Sequence, residues 1–362
     1  MDRRKSLLLA GAGAVLACAL AVSLGIAVRT RDRSEAAPPT AVVLVPGLQG
    51  SQLVSVDLDT GAVIGRLRLR SLATDIAVDP VSGLVVSAQT GGLGADADDA
   101  LAVVDPRAGT IDYVKLSHID PSQVEVVGRR AIVLHSVLDR KGFVATAVDI
   151  ASRTVVADGH VPEGSGLWGS AAGSVWTTVA TNGPVPFVLE QVDPATIAVS
   201  SVGALGFVPT AVTSAGGMVA VLGGADGGGG PARAALLDAA TGAVTHRVVT
   251  LEGLPHGAQS AVAVSGTLVI GDWDGEEPET PSLQVIDAGT LAPVRSLMVG
   301  GAPCALAEHG GSLLVVDRVA GTLASVDPRT GAVAWRAELG ATDLLCSKIV
   351  VLPGRGAATR PR

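Results

Sequence analysis

Short apolar runs alternate with turns rich in Gly, Asp and Pro along most of the chain, a pattern typical of β-strands joined by tight turns. One turn recurs seven times, and each copy starts with an Asp that ends one apolar run and precedes the next. The seven copies begin at Asp57, Asp105, Asp149, Asp193, Asp238, Asp287 and Asp327. Their spacing of 40 to 49 residues is that of a four-stranded propeller blade and predicts seven such blades.

The recurring turn has the chemistry of a β-hairpin tip. An Asp at its first position can accept a hydrogen bond from the backbone N–H two residues further on. A Gly at its fifth position, such as Gly61 or Gly331, supplies the positive φ that the reversal requires. Three copies carry Arg153, Ile197 and Leu291 at that position instead. For these three tips we predict a different geometry.

Residues 299–339 show one complete unit, with strands predicted at 302–307, 312–316, 321–326 and 332–339. The first unit, in contrast, starts late and lacks its first strand. We predict that residues 343–347, after the last hairpin, supply this strand and close the ring, while residues 349–352 duplicate or compete with residues 42–45. The predicted fold is therefore all-β, a seven-bladed β-propeller over residues 41–354, followed by a disordered tail at 355–362.

The stretch VGGAPCALAEHGGSLLVVDRVAGTLASVDPRTGAVAW, residues 299–335, carries the turn and strand pattern best. Through it the chain from 41 to 352 resembles the seven-bladed YVTN and PQQ-like propeller repeat families. The resemblance implies the propeller fold. It does not imply an activity, because it rests on turns and strands rather than on site residues.

The N-terminus has the pattern of a membrane anchor. A basic tail at residues 1–5 precedes an uncharged stretch at 6–28, whose length as a helix, about 34 Å, spans the roughly 30 Å core of a bilayer. Because the basic residues precede the stretch, the N-terminus is expected inside. We therefore predict an uncleaved signal anchor, a linker at 29–40, and a propeller outside the cytoplasm of a single-pass membrane protein. A lipobox-like sequence ending at Cys18 is the alternative to a simple buried membrane cysteine.

Composition and charge narrow the function. The chain carries a net charge of −8 and only 2% aromatic residues. Nucleic-acid binders need basic surfaces and aromatic stacking platforms, so this class is excluded. Gly227 to Gly230 lack the Lys-Ser/Thr that a phosphate-binding loop requires, and the chain has no G-x-S-x-G nucleophile turn.

Histidines and carboxylates are the first candidate site. In a propeller the loops between second and third strands, and those between blades, share one face, which we call the upper face. The sequence places six of its candidates in or beside these loops: His118, Asp120, His135, His160, Glu163 and His256. They could form a metal site or an acid–base cluster. The alternative is a set of solvent-exposed loop histidines whose spacing reflects only the repeat.

Acidic loops and tryptophans complete the upper-face candidates. Trp168 and Trp273, the latter beside Asp272, are natural anchors for a ligand. Two loops are rich in oxygen ligands that calcium could use, although charged loops are usually just solvated; their carboxylates are Asp96, Asp98, Asp99, Asp272, Asp274, Glu276, Glu277 and Glu279. No resident metal or other cofactor is predicted.

Cys304 and Cys346 fall on predicted innermost strands at the seam of the ring. A disulfide there would staple the ring in an oxidising compartment, and two buried thiols are the alternative.

Two functions remain. The first is a membrane-anchored, monomeric binding scaffold for an unknown protein or small molecule. The second is an extracytoplasmic enzyme, a lactonase-like hydrolase or a lyase, that uses the upper-face His, Asp and Glu residues.

Overall fold

The computed structural model describes residues 38–47, 50–90, 98–139, 142–162, 168–171, 173–180, 187–215, 217–224, 231–238, 243–251, 258–272, 283–299, 302–340 and 348–353. The regular structure of these residues consists of β-strands. No helix in this part of the chain is long and apolar enough to cross a membrane. The predicted anchor at 6–28 and the tail at 355–362 lie outside the described residues.

Seven four-stranded antiparallel sheets make up the structure, and each is one blade. The first four blades contain sixteen strands: β1 Thr40–Val45, β2 Gln52–Asp57, β3 Val63–Arg68, β4 Ala73–Val78, β5 Val85–Gln89, β6 Ala100–Asp105, β7 Thr110–Lys115, β8 Pro121–Val127, β9 Arg130–Asp139, β10 Gly142–Asp149, β11 Thr154–Val161, β12 Trp168–Ala171, β13 Ser174–Ala180, β14 Phe187–Val192, β15 Val199–Leu205 and, from the C-terminal end of the chain, β28 Lys348–Leu352. Blade 1 has the strand order β28-β1-β2-β3, and blades 2 to 4 follow as β4–β7, β8–β11 and β12–β15.

The last three blades follow in sequence order as β16–β19, β20–β23 and β24–β27. Their strands are β16 Val208–Ala215, β17 Met218–Gly224, β18 Ala232–Asp238, β19 Val244–Thr250, β20 Ala258–Val264, β21 Thr267–Asp272, β22 Leu283–Asp287, β23 Pro293–Leu297, β24 Pro303–His309, β25 Ser312–Asp317, β26 Thr322–Val326 and β27 Val333–Glu338. The predicted seven-bladed propeller is confirmed.

The chain closes the ring with its last strand. β28 pairs antiparallel with β1, so that Val350 lies opposite Val42, and both termini of the ring contribute to blade 1. The prediction placed the closing strand at 343–347, which is wrong by about one strand length: the closing strand is β28, and residues 341–347 lie outside the described part. Residues 349–352 do not compete with β1. They pair with it, which removes an exposed sheet edge.

Each of the seven contacts between neighbouring blades has its own apolar cluster in the described part of the chain. The second strand of a blade is packed on both faces, so β1, the second strand of blade 1, is buried at all six positions. Outer strands such as β3 are largely exposed. The cluster between blades 7 and 1 includes Val43 and Leu314, and there the Trp335 Nε1–H donates to the Leu58 carbonyl at 3.1 Å. The seam is therefore packed like the other interfaces.

The recurring Asp turns have the predicted hydrogen bonds. Asp57 Oδ1 accepts from the N–H groups of Asp59 and Thr60 at 2.9 and 3.0 Å, and Asp327 Oδ1 accepts from Arg329 N–H at 2.7 Å. The bond from Arg329 N–H, together with the hydrogen bonds of Thr330, holds the pKa of Asp327 below its usual value. The turns are thus structural hairpin tips.

The prediction of a different geometry for three tips is wrong. Arg153, Ile197 and Leu291 have φ values of 57°, 59° and 58°, in the same left-handed region as Gly61 at 73°. The N–H of Arg153 donates to the Asp149 carbonyl at 2.8 Å, as Gly61 does to Asp57. The backbone of the turn therefore imposes a positive φ whatever the side chain.

Replacing Arg153 by Gly is expected to stabilise the propeller by about 0.5–1 kcal/mol. The change relieves a left-handed conformation that costs a non-glycine residue roughly 1–2 kcal/mol, and part of this gain is offset by the greater freedom of Gly in the unfolded chain. The Arg153–Asp112 ion pair, 2.8 Å long and half exposed, contributes little. Chemical denaturation measures the effect. Arg153→Ala is the matched control, because it removes the ion pair but keeps the strain; equal stability of the two variants would contradict the prediction.

Candidate functional site

The centre of the ring holds a cavity of about 490 Å³. Its walls are the innermost strands of all seven blades, namely β28, β4, β8, β12, β16, β20 and β24. We call this cavity the channel. Three ionisable side chains from blades 1, 2 and 3 meet in it: Lys348, Asp75 and Glu125.

Asp75 lies on β4 and connects three blades. Its carboxylate accepts the N–H of Val124 on β8 at 3.0 Å, and its Oδ1 lies 3.9 Å from Nζ of Lys348 on β28. The residue is 8% exposed. Burial raises the pKa of Asp75, against the opposing effect of the Lys348 charge.

Glu125 lies on β8, the next inner strand of the ring. Burial, and then the nearby negative charge of Asp75, raise its pKa to about 7, although hydrogen bonds from Ser170 on β12 and the Lys348 charge oppose the shift. Glu125 is half-buried and lines the channel. Near neutral pH this carboxyl group can therefore hold or release a proton.

The opposite wall of the channel, from blades 5 to 7, mixes polar and apolar residues. It includes Thr210, Thr213 and Ser260 beside Val212, Val262 and Leu306. Its charged residue, Glu308, is engaged at a turn, where it accepts the Gly311 N–H at 2.8 Å. The channel thus has three ionisable groups at blades 1 to 3 and a wall of mixed polarity across from them.

The sequence reasoning missed all three channel residues. A signal was present, because Asp75 and Glu125 each place a charge directly before or between apolar residues of an inner strand, in ATDIAV and PSQVEVV. A charge at such a position has no solvated face to occupy. Lys348 begins the closing strand, whose position was predicted wrongly, so its place in the channel could not be seen.

Two of the predicted histidines come together in the structure. The rings of His118 and His135 are 5.6 Å apart and packed edge to face. His135 is 0% exposed; its Nδ1 lies 3.0 Å from the Ile119 carbonyl and its Nε2 lies 3.0 Å from the Thr146 hydroxyl. Thr146 in turn donates to Asp158 at 2.8 Å. Both ring nitrogens of His135 therefore take part in a hydrogen-bonded network across blade 3.

Burial lowers the pKa of His135, assisted by His118 and opposed by the Ile119 carbonyl and Asp158. A histidine whose folded pKa lies below its unfolded value adds stability above the unfolded pKa and loses it as the pH falls. We therefore expect His135→Gln to reduce the loss of stability between pH 7 and pH 5. The variant should also lose about 1–3 kcal/mol at pH 7, because a buried hydrogen-bonded group is disturbed. Denaturant unfolding at both pH values measures this, and an unchanged pH dependence would contradict it.

The other predicted upper-face residues lie apart or outside the described part. Asp120 has a φ of 57°, and its backbone bonds to Asp98 and Ser136 at 2.8 Å each. His160 lies on β11, opposite Val144. Trp168 and Asp272 have a described backbone only, at the start of β12 and the end of β21. Glu163, His256 and Trp273 lie outside the described residues, and these site assignments stay predictions.

No group of three or more His, Cys, Asp or Glu side chains that could hold a metal ion occurs among the described residues. In the first acidic loop, Asp98 forms a two-pronged ion pair with Arg70, at 2.5 and 3.0 Å, and accepts from the Ser71 hydroxyl at 2.7 Å. Burial alone would raise the pKa of Asp98, but these bonds hold it below its usual value. Asp96 and Asp274, Glu276, Glu277 and Glu279 of the second loop lie outside the described part.

Cys304 is buried in β24 and lines the channel. Cys346 lies outside the described residues, so the predicted disulfide between them stays a prediction.

Comparison with known proteins agrees with this geometry at the level of fold. Neither a protein-family model nor a curated protein matches the sequence. Solved structures do match. These likenesses show the propeller fold. A functionally unknown protein from Desulfotomaculum acetoxidans has a TM-score of 0.62 at 13% identity, over 86% of this chain and 99% of that one.

Two further propellers are similar over nearly the same length. A candidate 6-phosphogluconolactonase from Bacteroides uniformis has a TM-score of 0.59 at 14% identity, over 87% of this chain and 100% of that one. AztD from Citrobacter koseri has a TM-score of 0.56 at 13% identity, over 88% and 100%. At such low identity the likeness carries no activity over to this chain, and the specific YVTN or PQQ-like repeat type stays a resemblance.

Proposed function

We propose that the protein is a membrane-anchored propeller that binds a small ligand in its central channel, on the extracytoplasmic side. The observation that carries the proposal is the meeting of Asp75, Glu125 and Lys348 in a cavity of about 490 Å³. This volume falls in the range of small-molecule sites, roughly 300–1,000 Å³, which combine apolar walls with a few polar groups. The channel sets its three ionisable groups in a wall of polar and apolar residues.

A ligand screen with a channel-filling variant tests the binding site. The full chain in detergent is heated with a panel of small polar compounds, since a ligand that binds only the folded protein raises its melting temperature. Thr213→Phe places a ring in the channel wall of blade 5, and it should lose the stabilisation that wild type shows. Val333→Phe, on an exposed outer strand, is the control and should keep it. Equal responses of all three proteins would contradict channel binding.

The anchor rests on the uncharged stretch at 6–28 and the preceding basic residues. Deleting residues 6–28 should move the protein from the carbonate-resistant membrane fraction to the soluble fraction. In cells with a permeable outer envelope, a protease that cannot cross the membrane should degrade the propeller of the full chain. Protection from that protease would overturn the proposed orientation.

An enzyme remains the second candidate, and the raised pKa of Glu125 favours it. A carboxyl group whose pKa of about 7 lies near the working pH suits general acid–base catalysis in a hydrolase or a lyase. Incubation with a panel of lactones tests this, with hydrolysis measured by the protons that it releases. Turnover by wild type that Glu125→Gln abolishes would favour the enzyme over the scaffold.

A further inference from the structure

One position on the second strand of each blade lies beside the loop that enters that blade on the upper face. It is opposite the first residue of the innermost strand, and we call it the clamp position. Buried polar side chains are costly unless they form hydrogen bonds, so their partners show what a buried polar position does. In blades 2, 3, 4 and 7 the clamp position carries a polar residue that is at most 7% exposed, namely Gln89, His135, Thr177 and Asp317.

In blades 2, 3 and 7 the side chain at the clamp position bonds to the entering loop. The loop residue lies one or two positions before the innermost strand in all three blades. The bonds join Gln89 Oε1 to the Ser71 hydroxyl at 2.8 Å, His135 Nδ1 to the Ile119 carbonyl at 3.0 Å, and Asp317 Oδ1 to the Ala302 N–H at 3.3 Å.

The residue that follows the clamp position adds a backbone bond to the same loop. Its N–H donates to the carbonyl of the last residue before the innermost strand. Each of the three loops is therefore held by one side chain and one backbone group of the blade that it enters. The backbone bonds run from Thr90 to Leu72 at 2.9 Å, from Ser136 to Asp120 at 2.8 Å, and from Arg318 to Ala302 at 2.9 Å.

The other blades differ at this position. Blades 1 and 5 carry Leu44 and Gly224, which have no polar side chain. Thr177 of blade 4 is 0% exposed, but its hydroxyl forms no hydrogen bond within the described part of the chain. In blade 6 the position is Asp272, whose side chain is not described. The side-chain bond thus belongs to particular loops and is not a general consequence of the repeat.

We propose that Gln89, His135 and Asp317 are positioning residues, which fix the loops that enter blades 2, 3 and 7 so that the upper face keeps one shape in the free protein. His135 then serves to hold Ile119, which is 52% exposed, and does not itself bind a ligand. A surface that is ordered in advance loses less conformational entropy when a partner binds. The three residues act at the upper face, so their role does not depend on a ligand in the channel.

Amide hydrogen exchange of the full chain in detergent, resolved by residue with mass spectrometry, tests the proposal. Asp317→Asn is the conservative variant, because it keeps an oxygen that can accept the Ala302 N–H. Thr177→Val is the matched control, because Thr177 is buried at the same position with an unbonded hydroxyl. The test variants remove one side-chain bond each, and they are Gln89→Leu, His135→Leu and Asp317→Leu.

The expected result is a local effect. Each leucine variant should speed exchange about tenfold or more at the amide that follows its own clamp position, while amides of the other blades keep their wild-type rates. These amides are those of Thr90, Ser136 and Arg318. Exchange in Asp317→Asn at Arg318, and in Thr177→Val at Thr178, should stay within about threefold of wild type.

Two outcomes with the leucine variants would overturn the proposal. One is unchanged exchange at all three amides, and the other is an equal increase in every blade, which indicates a general loss of stability. If the leucine variants do not fold, wild type decides alone. Its amides at Thr90, Ser136 and Arg318 should exchange as slowly as those of the adjoining strands, and rapid exchange there would overturn the proposal.

Discussion

Truncating the chain after residue 347 is expected to abolish the folded ring, whereas truncation after residue 353 should leave it folded. The first change removes β28, the innermost strand of blade 1, and leaves β1 as an open edge. It also removes the backbone bonds of β1 on that side and the packing of Val350 and Leu352 between blades 1 and 2.

The size of this effect follows from burial. A fully buried aliphatic side chain such as Leu352 contributes roughly 1.5–3 kcal/mol. The half-buried Ile349, Val350 and Val351 and the lost pairing with β1 add to this, and the sum approaches the net stability of a domain, about 5–15 kcal/mol. An unpaired inner edge also invites aggregation. Circular dichroism melting and size-exclusion chromatography compare the two truncations. A monomeric, cooperatively melting protein that ends at residue 347 would contradict the assignment of β28.

Replacing Glu125 by Gln is expected to stabilise the propeller by up to about 3 kcal/mol at pH 8 and by little at pH 5. The pKa of Glu125 rises from 4.5 to about 7 on folding, and each unit corresponds to about 1.4 kcal/mol. Between these two values the folded state binds more protons than the unfolded state. Stability therefore falls as the pH rises from about 4.5 to 7, and then levels off.

Gln keeps the size and the hydrogen-bonding oxygen of the protonated acid, so the variant lacks the penalty of ionisation and keeps the contact with Ser170. Denaturant unfolding of both proteins from pH 5 to pH 8 gives the difference at each pH. The contributions of His135 and of the turn aspartates cancel, because both proteins contain them. A stability difference that does not grow with pH would show that Glu125 titrates as an ordinary solvated carboxyl group.

The blades could be predicted from the sequence because their signals are local. An Asp turn needs only the backbone N–H groups that follow it, so Asp57 and Asp327 could be identified as hairpin tips without knowledge of the ring. The same logic failed at Arg153, Ile197 and Leu291, where the strands on either side impose the left-handed conformation that Gly would adopt more easily.

The channel could not be predicted in the same way. Asp75, Glu125 and Lys348 lie in three different blades, and only closure of the ring brings them to one cavity. Closure itself depends on which C-terminal run pairs with β1, and two adjacent apolar runs fit the sequence pattern. The pairing of His118 with His135, in contrast, lies within one blade, and sequence spacing was enough to place them near each other.

Titration of the Glu125 carboxyl group is the most direct test of the channel as a binding site. The full chain in detergent is labelled with glutamate carrying ¹³C at the carboxyl carbon, and the Glu125 signal is assigned as the one missing from Glu125→Gln. We expect a midpoint near pH 7. A midpoint near 4.5 would contradict a carboxyl group desolvated in the wall of the channel.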